Sequence, residues 1–163
     1  MLLPSRLEQL EINLEKAYRL YEQYRGDLLD SYHHKQKASI QSDMAELSKQ
    51  IAAMESDWAT QISPIAQTME LSNQEAEPLV GEWIQATEKA IQRCQNDAAV
   101  LDKLTELLTE LQTGKAASAK LKITFPIVPL LVNYEMELDT ESTLIQLWRK
   151  TRAFFKQEVV KNP

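Results

Sequence analysis

The sequence predicts a mainly α-helical protein, in which an antiparallel coiled-coil hairpin joins a helical bundle carrying one small β-hairpin. Three observations predict it. Turn-formers are scarce, with 3 Gly and 6 Pro among 163 residues, which favours a few long elements. Two runs of apolar residues with heptad spacing fill the first 62 positions and are joined by a short polar link. Between residues 120 and 138 the apolar period falls to two, the signature of strands. The composition, 44% hydrophobic and 26% charged, supplies a core and solubility together and argues against a disordered chain.

The first helix is expected to start at Ser5, which forms a capping-box pattern with Glu8. Leu7, Leu10, Leu14, Ala17, Tyr21, Tyr24 and Leu28 then follow one another at alternating spacings of three and four, a heptad seam. Gly26 weakens its last turn. The second helix repeats the pattern through Ile40, Met44, Leu47, Ile51, Met54, Trp58 and Ile62, and Pro64 is expected to end it. The link at 27–35 is short and polar, so the two helices fold back antiparallel. Arms of roughly 24 residues would each be about 36 Å long.

A third helical region opens with a second capping box, Ser72 and Glu75, and tolerates Pro78 near its start. Leu79, Trp83, Ala86, Ala90, Ile91 and Cys94 mark one face, and Val100 to Leu111 continue the stripe. Asn96-Asp97 either interrupts one bent helix over 73–113 or starts a second. Gly114 fits a C-terminal cap. In the β-hairpin, Leu121, Ile123 and Phe125 are expected to face Leu138, Met136 and Tyr134, which leaves Lys122 opposite Glu137 and Lys120 opposite Asp139. A last helix begins at Asp139 or Thr140, with Leu144, Leu147, Trp148, Thr151, Phe154 or Phe155, and Val159 inward. In domain terms, residues 1–63 are the coiled-coil hairpin and 64–163 the helical region with the β-hairpin and an amphipathic last helix; one composite domain is the alternative.

Charge restricts function. The net charge of −6 argues against nucleic acid, because neutralising phosphates needs a basic face. Only residues 120–163 are net basic, with seven Lys/Arg against five Asp/Glu. The start of the chain lacks the pattern of a signal peptide and no window reaches 18 apolar residues, so a cytoplasmic protein is expected. A single cysteine, Cys94, excludes an internal disulfide and lies in an apolar pattern that buries it.

Nothing in the sequence reads as catalytic, and neither a cofactor nor a metal is expected. His33-His34 reads as a solvated turn, since a metal needs three or four converging ligands and Asp30 with His34 offers two. The pairs Glu135/Glu137 and Glu75/Glu77 read as wet-face charges. Interaction surfaces are the better candidates. Tyr18, Leu20 and Tyr32 lie off the first seam and can meet another surface, in this chain or another. Arg149, Arg152 and the other bases of the last helix suit an acidic partner or an anionic membrane, beside ordinary pairing with the negative helix end. The apolar loop at 126–132, with Leu130 and Leu131, either joins the core or binds something.

Residues 7–58 resemble the coiled-coil hairpins at the N-termini of large cyanobacterial signalling proteins: STAND-type NTPases and WD-repeat or caspase-like proteins of conflict systems. The stretch KLKITFPIVPLLVNYEMELDTESTLIQLWRK is similar to a further segment of such proteins. The resemblance implies an accessory helical module beside an effector or sensor domain, with no catalytic residue to carry over. The expectation is thus a non-enzymatic interaction or adaptor module working through helix–helix contacts with protein, with homo-oligomers among its forms. The alternative is a bundle that associates with membranes through the 126–132 loop and the basic last helix.

Overall fold

A computed structural model describes residues 5–94, 96–124, 127 and 143–161. Among these residues every regular element is a helix: α1 (Ser5–Asp30), α2 (His34–Gln67), α3 (Asn73–Arg93), α4 (Ala98–Leu111), α5 (residues 117–124) and α6 (Thr143–Lys161).

α1 and α2 pack on each other along the expected seam. Leu7, Leu10, Leu14, Ala17 and Tyr21 of α1 are buried against Met44, Leu47, Ile51, Trp58 and Ile62 of α2. A three-residue link, Ser31 to His33, reverses the chain, and Arg6 meets Asp57 at 2.6 Å near the open end. Pro64 does not end α2, which runs to Gln67. The proline forfeits one backbone donor, but Ile62 and Ala66 on either side of it are fully buried, and that packing carries the helix through one more turn.

The region 73–113 is two helices. Ser72 caps α3 by accepting from the Glu75 N–H at 3.3 Å, and Asp97 caps α4 by accepting from the Val100 N–H at 3.2 Å. Pro78 lies inside α3. Cys94, buried, closes α3 with its N–H on the Ala90 carbonyl. α4 stops at Leu111 with Gln112 as its cap, so Gly114 lies in the following turn and is not the cap.

The strand expected at 120–125 is a helix over its described residues, 120–124. The Lys120 N–H bonds to the Ala116 carbonyl, four residues back. Thr124 donates its hydroxyl to the Leu121 carbonyl, and Leu121, Thr124 and Ile127 are all buried. That spacing of three is helical. Alternation over six residues is too short to separate the two periods, and burial of one helical stripe decided it. No strand occurs among the described residues; the proposed partner, 134–138, lies outside them, as does the expected start of the last helix at Asp139 or Thr140. α5 is tied to the base of α3, where the Ser118 N–H donates to Asn73 Oδ1 and Lys122 Nζ to the Met69 carbonyl.

α6 joins the two halves. It packs on α3, where Trp83 Nε1–H donates to Thr151 Oγ1 at 2.8 Å, and on the hairpin, where Trp148 meets Trp58 edge-to-face at 6.2 Å. Its buried stripe is Leu144, Leu147, Trp148, Thr151, Phe155 and Val159, as its sequence indicates.

Candidate functional site

Where α6 crosses the hairpin, a polar cluster is enclosed in the apolar core. Glu55 of α2 is fully buried. Tyr18 of α1 donates its hydroxyl to Glu55 Oε2 at 3.1 Å, and Arg152 of α6 brings Nε to 3.4 Å from Oε1. The Arg152 guanidinium also lies 6.0 Å from the Trp58 ring, and that of Arg149 sits over the Tyr18 ring at 4.5 Å. Side chains on helices lean toward their own N-terminus. In the antiparallel hairpin, Tyr18 therefore leans toward the base and Glu55 toward the tip, and the two meet.

Burial pushes the Glu55 carboxyl above its ordinary range, because a charge loses water there. Arg152, the Tyr18 hydroxyl, the Trp148 indole and Arg149 act in the opposite direction without cancelling the effect. Burial, and then the Glu55 charge, hold the Tyr18 phenol protonated far into alkaline conditions. Glu55 is closed to solvent, whereas Arg152, 9% exposed, also borders the cleft between α1 and α6. The triad ties α1, α2 and α6 together within the core.

Above the cluster, α1 and α6 border a cleft of about 440 Å³ that includes Glu11, Glu15, Arg149, Lys150, Arg152 and Lys156. Lys156 meets Glu11 at 2.6 Å. With Arg149 on Tyr18 and Lys156 on Glu11, α6 runs antiparallel to α1.

Beyond the reach of α6 the hairpin continues as an arm. From Glu22 to Asp43 the only buried residue is Ser31, and Tyr24, Leu28 and Ile40 are half-buried. Leu29 is 79% exposed and Tyr32, in the link, 92% exposed.

The structure thus brings together three of the residues singled out from sequence, Tyr18, Arg149 and Arg152. The surface that covers Tyr18 belongs to this same chain. Leu20 is partly exposed at 38% on the outer side of α1, and Tyr32 stands at the tip, away from the cluster. Leu130 and Leu131 lie outside the described residues. Sequence reasoning missed Glu55. The signal was present, since Ile51, Glu55, Trp58 and Ile62 continue one stripe at spacings of four, three and four. Among the described residues, no three His, Cys, Asp or Glu side chains converge as metal ligands, and no helix is long and apolar enough to cross a membrane. No protein-family model matches the chain, and neither a curated protein nor a solved structure matches it.

Proposed function

We propose that the protein is a non-enzymatic helical interaction module whose arm, residues 22–43, meets a protein partner through its tip. The observation that carries this is the contrast in burial along one hairpin: the base is covered by α6, while the arm presents Leu29 and Tyr32 to solvent with none of the described helices over them. Exposed large apolar side chains at the end of a helical projection are suited to helix–helix contacts. A place beside a signalling effector rests on the sequence resemblance alone.

The competing membrane reading draws on the bases of α6. Three of them already face carboxylates of the same chain: Lys150 on Glu82 at 3.0 Å, Arg152 on Glu55, and Lys156 on Glu11. Each basic residue adds about 1 kcal/mol near an anionic bilayer, and intramolecular pairing removes part of that. This favours protein over lipid.

A photocrosslinking amino acid placed at Tyr32, and in a second variant at Glu88 on the exposed side of α3, tests the reading in the cells that make the protein. Discrete protein adducts from position 32 and none from 88 are expected. Equal labelling from both sites would sink the arm as the interaction surface. Sedimentation of the wild type with anionic liposomes at physiological salt would transfer the function to the membrane.

A further inference from the structure

The protein is acidic overall, at −6, yet the cleft between α1 and α6 gathers Arg149, Lys150, Arg152 and Lys156 against Glu11 and Glu15. With Glu55 on Arg152, Glu82 on Lys150, Glu11 on Lys156 and Arg19 on Glu15, five cations meet four carboxylates, a surplus of one positive charge. Such a local reversal of sign attracts anions. Arg149, Arg152 and Lys156 recur at steps of three and four along α6 and so share one helix face.

The four cations of the cleft are not equally satisfied. Lys156 is held by Glu11, and Lys150 by Glu82 of α3. Glu15 on the rim turns to Arg19 at 2.9 Å. Arg149 meets no carboxylate among the described residues; its guanidinium lies over the Tyr18 ring. An arginine held on an aromatic face is fixed in place while its N–H edge stays available to an oxyanion. Arg152, beside it and nearly buried, has Glu55 as its counterion, and burial favours the neutral form of that carboxyl.

We propose that this cleft binds a small phosphate-bearing molecule, with Arg149 as the principal oxyanion ligand, Arg152 beneath it, and Lys150 and Lys156 supplying charge at the rim. A phosphomonoester carries about −1.5 to −2 at neutral pH, and arginine takes phosphate oxygens in pairs through its planar N–H fork. The volume suits a small ligand, since pockets of about 300–1,000 Å³ hold such molecules. The proposal is independent of the arm, because the cleft lies at the base of the hairpin.

Titration calorimetry with inorganic pyrophosphate, at ionic strength held constant with sodium chloride, tests it on the full chain. Saturable binding is expected, with a melting temperature that rises with ligand concentration. Arg149→Gln should weaken binding roughly tenfold, the scale of one lost charge-assisted contact. Glu15→Gln, which removes a repelling carboxylate, should tighten it, and that gain is read on a variant that leaves Arg149 and its contact with Tyr18 in place. Lys103→Gln on α4, where the lysine faces Glu106 at 3.7 Å, should bind as the wild type does. The site is refuted by the absence of saturable heat, by unchanged affinity in both cleft variants, or by equal weakening in Lys103→Gln. Citrate binding as tightly as pyrophosphate would overturn the assignment to phosphate.

Discussion

Leu14 and Leu28 occupy equivalent places in the α1 seam, two heptads apart, yet Leu14 is fully buried and Leu28 only half-buried. The difference lies in what stands outside the seam. At Leu14 the hairpin is backed by α6, with Trp148 against Trp58 and Arg152 on Glu55. At Leu28 none of the described helices backs it, and water reaches the side chain. A two-helix seam has one buried face, and two helices alone cannot enclose it. The comparison shows that a heptad pattern fixes pairing without fixing stability, which is set by the third helix.

The largest test of that contrast is a charge in each half. Leu14→Asp should cost on the order of 4 kcal/mol or unfold the protein, because an unpaired carboxylate enters a dry seam. Leu28→Asp should cost about 1 kcal/mol, since its carboxylate keeps contact with water. Chemical denaturation measures both, and equal losses would erase the distinction between base and arm.

Next in size is the buried ion pair. Glu55→Ala leaves Arg152 without its counterion and should cost about 3 kcal/mol. The double variant Glu55→Met, Arg152→Met should recover most of it, since an apolar pair of similar volume replaces a desolvated one. A double variant as unstable as Glu55→Ala would mean that the cluster does more than tie α6 to the hairpin.

A smaller effect is expected with pH. The Glu55 carboxyl is raised in the folded state above its ordinary value of 4.5, so the folded protein holds that proton more tightly than the unfolded chain. Its contribution to stability is therefore complete below the ordinary value and is lost as pH rises toward the raised one. The stability of the wild type relative to Glu55→Gln should fall as pH rises from about 4.5. A difference independent of pH over the acid range contradicts the shift.

The smallest effect belongs to the tip. Leu29→Ser with Tyr32→Ser should change stability by no more than about 0.5 kcal/mol, because neither side chain is buried. The same variant should lose protein binding. A marked fall in melting temperature would show that the tip is packed after all.

The hairpin is legible in the sequence because a heptad repeat over seven positions in each helix fits little besides a pair of packed helices. The cap at Ser72 is legible for a local reason, a side-chain oxygen three residues before an N–H that needs it, whereas Asn96-Asp97 fits one bent helix and two separate helices alike. Residues 120–124 mislead because Leu121 and Ile123 alternate with lysines, which a short strand and a half-buried helix satisfy equally. Glu55 escapes notice because the acidic residues between Met54 and Trp58, Glu55 and Asp57, read as solvated. Its partner, Arg152, lies at the other end of the chain, and no local pattern links them. The cleft is hidden for the same reason: the bases of α6 are visible as a basic helix, but not the acidic helix they face. The arm's exposure depends on where α6 ends, which is a property of docking, not of the hairpin's own residues.

All three tryptophans, Trp58, Trp83 and Trp148, are fully buried in the part of the molecule that α6 holds together. The arm contains none. Indole emission therefore monitors only the base, whereas circular dichroism sees every helical turn, including those of the arm. Recorded on one sample, the two melting curves need not coincide. Any span of temperature in which ellipticity declines while indole emission holds steady measures the arm unzipping by itself, without a label or a mutation.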